Sequence, residues 1–427
     1  MIFFTNDCNN PCYRLCNSIN RLPKMDQLTP NKEIQSRLAR YRKFAQQHLP
    51  AIEGSLFFSR LNIYYFTGSY ANGVFWLPVE GEPILFCRRG LDRAKIETPF
   101  KNIVQLNSYR DIAQTFTDLS LNMPVHVAAE MNGLPWSLSN SLMKYLPNVQ
   151  FISSDKLIGL TRAKKSTWEL QLLREAGYKH NRCLTQLLPP LLYEGMNELE
   201  ISHIISDVFY SEGHNGILRM ETFGEEVYLG HIAIGESANY PSFFNGPVGL
   251  RGVHPAAPFM GAENIKWNVG SPLTIDNGFT LGGYQTDKTQ VYWLGGKSSI
   301  PETLQSAHNL CVEIQALVAS QLKPGAIPSN LWEQSVAMAS KSPWYHGFMG
   351  LNGNKVQFLG HGIGLAIDEY PVIAKGFDAP LEEGMVLAIE PKIGLPGIGM
   401  VGTENTFEVT SGGGKSLTGS DFEIIKI

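Results

Sequence analysis

Four carboxylates and one imidazole in the C-terminal part of this sequence have the types and spacing of a metal centre: Asp276, Asp287, His361, Glu390 and Glu404. Two divalent ions that share bridging oxygens need a donor set of this kind. A single imidazole among oxygen donors favours borderline-hard ions such as manganese, cobalt or iron over a thiolate-type zinc site. The carboxylates fall into two pairs, each spanning a predicted hairpin. Between Thr274 and Asp287 the Gly282-Gly283 step marks a turn, and folding about it sets Asp287 opposite Gly278, with Asp276 its diagonal neighbour on the same face. Glu390 and Glu404 flank Pro396-Gly397-Ile398-Gly399, and folding about Gly397 puts them directly opposite each other. Asp276 and Glu390 follow apolar runs, Pro272-Leu273-Thr274-Ile275 and Met385-Val386-Leu387-Ala388-Ile389, where an unpaired charge costs several kcal/mol. A bound cation removes that cost. Taken singly, each acid also fits a solvated hairpin surface.

The elements that must position these residues form a repeating order. Ser166 with Glu169 makes a capping box that opens a long helix stopping at Pro189-Pro190, and Asn197 with Glu200 opens a second helix. Loops rich in Gly and Pro lead to the first carboxylate hairpin. The order then recurs: a helix after Pro301, a stop at Lys323-Pro324-Gly325, a helix opening at Ser329, strands around His361, and the second carboxylate hairpin. Helix pair followed by hairpin, twice, predicts an α+β domain of two related halves closing on a shared site. Upstream, a helix opens at Thr29-Pro30, and short strands at 54–58, 73–77 and 83–86 alternate with turns, predicting a separate, smaller α/β domain. The expected organisation is a disordered tail over 1–28, an N-terminal domain over 29–160 and a site-bearing domain over 161–427.

Bulk properties narrow the partners. A chain of 427 residues with 43 % hydrophobic and 17 % charged residues has ample apolar surface for more than one core. The net charge of −4 gives no electrostatic invitation to nucleic acid or an anionic membrane. No run reaches the roughly 18 apolar residues of a membrane span. Cys87, Cys183 and Cys311 stand singly in apolar surroundings, as reduced thiols of a cytoplasmic protein do, while Cys8, Cys12 and Cys16 are spaced by four with no fourth ligand nearby. Gly397-Ile398-Gly399-Met400-Val401-Gly402 fits a dinucleotide fingerprint in spelling only, since it lies in a predicted hairpin with no helix to face a pyrophosphate. Gly412-Gly413-Gly414-Lys415-Ser416 lacks the leading glycine of a P-loop and reads as a turn.

The ordered set Ile275-Asp276-Asn277-Gly278, Thr286-Asp287, Gly360-His361-Gly362-Ile363-Gly364, Ile389-Glu390-Pro391 and Thr403-Glu404-Asn405 resembles the pita-bread-fold metallopeptidases, the group that holds prolidase, aminopeptidase P, methionine aminopeptidase and creatinase. The resemblance covers roughly residues 30 to 427. Asn62-Ile63-Tyr64-Tyr65-Phe66-Thr67-Gly68 looks like the early strand-and-turn signature of the creatinase-type N-terminal domain, which leans the match to the prolidase and aminopeptidase P branch. It implies a C-terminal pita-bread domain of two pseudo-symmetric halves behind a smaller creatinase-like domain. It also implies a homodimer, a small peptide substrate cut near an Xaa-Pro bond, and two divalent ions, with manganese first and cobalt, zinc or iron as alternatives. By resemblance Asp276 binds one ion, His361 and Glu390 the other, and Asp287 and Glu404 bridge. Two ions about 3.5 Å apart present hydroxide at neutral pH, with Glu390 as the group that takes the water's proton and passes it to the leaving nitrogen.

The sequence departs from the family on the substrate side. Asp368 stands where a second histidine is expected, and a carboxylate there donates a hydrogen bond to an oxyanion only when protonated. Ser242-Phe243-Phe244-Asn245-Gly246-Pro247 lacks a substrate-facing histidine, and Gly402 stands where prolidases place an arginine. His231, His254, Arg219 and Arg251 are the candidates to fill these roles, with His254, shortly before the ligand strand, taken first. Tyr240, Phe243 and Phe244 are candidates for an apolar pocket wall. The losses keep two other readings open: hydrolysis or elimination of a non-peptide small molecule on the same scaffold, as in creatinase, and a catalytically inactive binding protein.

Overall fold

The computed structural model describes residues 28–222, 224–295 and 299–427. Apart from Leu28, the tail expected over 1–28, with Cys8, Cys12 and Cys16, lies outside the described residues. These divide into two compact units, one of residues 28–163 with 222 and 224, the other of 164–221 with 225–427.

The smaller unit opens with α1 (Asn31–His48), in which Ile34, Leu38, Tyr41 and Ala45 recur at helical spacing and are buried. Along the chain follow β1 (Gly54–Phe57), α2 (Arg60–Thr67), β2 (Asn72–Pro78), β3 (Ile84–Arg89), α3 (Leu91–Glu97), β4 (Ile103–Gln105), α4 (Ile112–Asp118), β5 (His126–Ala129), α5 (Trp136–Tyr145), β6 (Gln150–Ser153) and α6 (Asp155–Ala163). The six strands make one mixed sheet in the order β4-β3-β2-β1-β5-β6. Where strand and turn were expected at 62–68, the chain is helical. Ser59 caps α2 by accepting from the Leu61 amide, and Gly68 ends it at φ +79°. The buried Glu130 carboxylate holds the start of this helix by accepting from the Phe58 and Ser59 amides and from Asn62. Cap and anchor together outweigh the strand preference of Tyr64-Tyr65-Phe66.

The larger unit begins with α7 (Thr167–Arg182), opened by the Ser166–Glu169 capping box and continued by a π-helical turn at Cys183–Leu187 that stops at Pro189. The Asn197–Glu200 box opens α8 (Glu198–Ser211). Then come β7 (Gly230–Ile234), β8 (Pro272–Leu281), β9 (Tyr284–Trp293), α9 (Glu302–Gln321) and α10 (Pro328–Ala339), followed by β10 (Phe358–Gly362), β11 (Glu369–Ala374), β12 (Val386–Ile389), β13 (Lys392–Leu395), β14 (Gly399–Gly402), β15 (Glu404–Thr410), β16 (Gly413–Ser416) and β17 (Ile425–Lys426). A nine-stranded sheet runs β11-β10-β12-β15-β9-β8-β7, with β16 beside β15 and β17 beside β9, while β13 and β14 pair with each other. Ile232, Leu273, Ile275, Phe279 and Tyr292 of the sheet share a core with Leu184, Ile201, Ile205 and Phe209 of the helical layer. Helix α9 lies against β13 and β14. The G-x-G-x-x-G stretch is the turn and second strand of the β13–β14 hairpin, and 412–416 is the end of a turn followed by β16.

Both carboxylate hairpins take the expected register. Gly282 and Gly283 have φ of +58° and +83°, the left-handed pair that a two-residue turn needs, and Asp287 is paired with Gly278. In the second, Ile389 faces Asn405 and Lys392 faces Gly402, so a single register carries Glu390 across from Glu404 where the ribbon leaves the large sheet. Cys87, Cys183 and Cys311 are buried free thiols. Among the described residues, no helix is long and apolar enough to cross a membrane.

Candidate metal centre

The order of the large sheet brings the five predicted donors together. His361 comes from β10, Glu390 from the end of β12, Glu404 from the start of β15, Asp287 from β9 and Asp276 from β8, and these strands are consecutive neighbours. The period-2 alternation of β9 sends Asp287 to the site, while Lys288 points away to Asn405 at 2.9 Å, where burial brings its ammonium down to about 7.

One cation position is open. Donor atoms of Asp287, His361 and Glu404 all lie within 4.8 Å of one another. The Nδ1–H of His361 donates to the Gly362 carbonyl oxygen at 3.1 Å, which turns Nε2 toward Glu390 Oε1 at 3.5 Å and Glu404 Oε1 at 3.9 Å. Burial and the charges of Asp276 and Glu390 hold the Asp287 carboxyl well above its usual range. Burial, Asp287 and Glu390 do the same to Glu404. The excess of carboxylate at Asp287 and Glu404 is only partly offset by the Lys392 ammonium on Glu404 Oε2, and one divalent ion fits the donor set.

The second position holds a residue that the reading of the sequence passed over. The Lys392 ammonium lies 3.2 Å from Asp276 Oδ2, 3.0 Å from Glu390 Oε2 and 2.6 Å from Glu404 Oε2, and the residue has no exposed surface. Burial alone would depress this ammonium, but Asp276, Glu390 and Glu404 together raise it well above its ordinary range. In return, burial notwithstanding, Lys392, His231 and Thr289 bring Asp276 down to about 2. The Thr289 hydroxyl donates to Asp276 Oδ1 at 2.5 Å and lies 3.1 Å from Glu404 Oε2. The donors around Asp276 thus do not fit a second ion while Lys392 is in place. The signal for this lysine was its spacing, because two residues after Glu390 on an extended strand is the same face.

The other candidates scatter. His254 is exposed in a turn, its Nδ1 accepting from the Ala256 amide. The Arg251 guanidinium lies over the Tyr240 ring at 4.6 Å. Arg219 is joined through its backbone to Gln285 and Ile367. Asp368 accepts from the Glu221 amide at 2.7 Å. His231 is the candidate that reaches the centre, since on β7 it pairs directly with Asp276. It is buried, its pKa is pushed down to about 4 by burial, and Nε2 has no hydrogen-bond partner among the described residues. Its ring lies 4.7 Å from that of Phe244, which packs at a tilt against the half-exposed Phe243 and approaches Phe259. At Gly402 an arginine would be strained, because φ is +141° and a Cβ would come within 2.4 Å of the Pro391 carbonyl oxygen and 3.1 Å of Lys392 Cγ.

Comparison with known proteins fits this arrangement. The family profile described as metallopeptidase family M24 matches residues 171–411, and that of the creatinase/prolidase N-terminal domain matches residues 37–164. An Xaa-Pro dipeptidase of Pyrococcus furiosus is 24 % identical over 398 residues, covering 92 % of this chain and all of that protein. Among solved structures, the prolidase of Pyrococcus horikoshii OT3 superimposes with a TM-score of 0.73 at 21 % identity, covering 91 % of this chain and 100 % of the other. An Xaa-Pro dipeptidase from Bacillus anthracis gives a TM-score of 0.75 at 22 % identity, over 92 % and 100 %. The fold is accordingly a creatinase-like N-terminal domain followed by a pita-bread domain.

Proposed function

The chain belongs to metallopeptidase family M24, and from that premise we propose that it is a metal-dependent hydrolase that cleaves the amide bond beside proline in a small peptide, at the centre formed by Asp287, His361 and Glu404. The observation that carries this reading is the placement of His361 Nε2 among carboxylate oxygens, with donor atoms of Asp287, His361 and Glu404 within 4.8 Å of one another. A divalent ion of the manganese, cobalt, zinc or iron type held there supplies Lewis-acid polarisation of the substrate carbonyl and acidifies water.

The chain's own residues supply the rest. Lys392 ties down Glu390 Oε2, leaving Oε1 on the His361 side to take a proton from the attacking water and return it to the departing nitrogen. His231, the cross-strand neighbour of Asp276, has an Nε2 with no partner among the described residues and would contact the substrate carbonyl. Phe243 and Phe244 beside it form an apolar wall suited to a prolyl ring. With no arginine at 402, nothing at that position binds a terminal carboxylate, which favours peptides longer than two residues.

Purified protein incubated with manganese or cobalt and a panel of X-Pro dipeptides, tripeptides and their C-terminal amides tests this. Cleavage is expected at the X-Pro bond, with blocked and free C-termini turned over alike. A metal-loaded protein that cleaves no peptide in the panel would refute it. That outcome would favour the second reading, a non-peptide substrate, which Gly402 already motivates.

A further inference from the structure

Among the described residues Lys392 is the lysine or arginine set against the five donors, and holding Glu390 Oε2 accounts for only one of its three carboxylate contacts. Its ammonium nitrogen is the meeting point of three carboxylates contributed by three strands, Asp276 on β8, Glu390 after β12 and Glu404 on β15. Its backbone is fixed by cross-strand pairing with Gly402, and its carbonyl oxygen accepts from the Met349 amide at 2.9 Å. The side chain has no exposed surface, so in this position the ammonium is held by carboxylates in place of bulk water. An ion drawing on the same three oxygens, at the roughly 2.0–2.2 Å of a metal–oxygen bond, would have to displace it.

Charge counting agrees with the geometry. A carboxylate that ligates a metal is deprotonated, so a loaded centre counts four carboxylate charges, of which the Lys392 ammonium neutralises one. A single divalent ion then leaves one negative charge, whereas two ions plus the ammonium would leave a net positive centre buried away from solvent. The room for the lysine stem comes from the residue opposite, since any side chain at 402 would meet Lys392 Cγ and the Pro391 carbonyl.

We infer that the Lys392 ammonium permanently occupies one of two cation positions, so that the centre binds one divalent ion, at Asp287, His361 and Glu404, and not two. The inference rests on the reading of the site as a metal centre, and stoichiometry separates the two ideas. The full-length protein, stripped with chelator, is dialysed against manganese chloride, and bound manganese per chain is measured by elemental analysis and by calorimetric titration. One ion per chain is expected. Lys392→Ala, checked for folding by circular dichroism, should double the stoichiometry to two, while Lys392→Arg should leave it at one. Two ions in the unaltered protein would overturn the inference and leave the metal-centre reading standing. No bound ion would sink both. A folded Lys392→Ala variant that takes up no more manganese than the unaltered protein would also overturn it. In crystals soaked with manganese, one anomalous peak beside His361 Nε2 is the corresponding result, and a second beside Asp276 the contrary one.

Discussion

His308 gives the clearest quantitative expectation in the larger unit. It stands on α9, where its Nε2–H donates to the Phe422 carbonyl oxygen at 2.8 Å, and its Nδ1 is buried with no hydrogen-bond partner among the described residues. Burial pushes its pKa down to about 4, against about 6.5 for an imidazole in the unfolded chain. A depressed folded-state value means that the unfolded chain binds the proton first. The stability contributed is therefore full above about pH 6.5 and is lost as pH falls towards 4. At pH 5 the linkage for this one group amounts to about 2 kcal/mol. His308→Gln removes the titration and keeps a donor for Phe422. Calorimetric melting temperatures of the two proteins at about pH 7.5 and 5 supply the test. The variant's drop should be smaller by roughly 4–8 °C, taking about 2–4 °C per kcal/mol for a unit of this size. Titration of the site carboxylates is common to both proteins and cancels in the comparison. Parallel curves would refute the assignment of a neutral, buried His308. Because α9 lies against β13 and β14, acid loosening of this helix also removes the support behind Lys392.

Three further outcomes are expected. Glu390→Gln should keep the fold and lower turnover by about 10²–10⁴-fold, as loss of a general acid/base does; unchanged turnover on a cleaved peptide refutes the role of Oε1. Glu198→Ala should destabilise the larger unit by about 2–5 kcal/mol in chemical denaturation, because the buried carboxylate accepts from the amides of Ile234 and Ala262 at 2.8 and 2.7 Å and both would lose their partner. Gly402→Arg, which restores the family's residue, should lower stability by about 1–3 kcal/mol and fail to improve dipeptide cleavage, since the backbone there has φ +141° and no space for a Cβ; a stable variant with improved dipeptidase activity would contradict the packing argument.

Much of the architecture was legible because local rules and the global fold agree. The capping boxes at Ser166 and Asn197 start helices where they should, and the Gly282-Gly283 turn fixes the register that sets Asp276 and Asp287 on one face. The five donors were legible as types in order, and their convergence follows from strand adjacency that no local pattern encodes. What escaped reading depended on tertiary context. The 62–68 segment has strand-like residues and a helical backbone because Ser59, Gly68 and the distant Glu130 decide it. His254 was preferred for its closeness in sequence to β8, but it lies in an exposed turn, whereas His231, further off in sequence, is the cross-strand partner of Asp276.

Lys392 and Gly402 are best understood as one feature. They face each other across the β13–β14 ribbon, and the glycine supplies the space that the lysine stem occupies. The resemblance to prolidases leads one to expect a basic residue at 402, reaching toward a substrate carboxylate. Here the basic residue stands on the opposite strand, and its charge is turned inward onto Asp276, Glu390 and Glu404. Under the proposed one-ion centre, moving a cation across the hairpin would change two properties together: a contact for a peptide's C-terminus is absent at 402, and one cation position is filled by Lys392. On the one-ion centre and the longer peptide substrate proposed above, the two departures would share this structural origin, and a change at either residue would act on both.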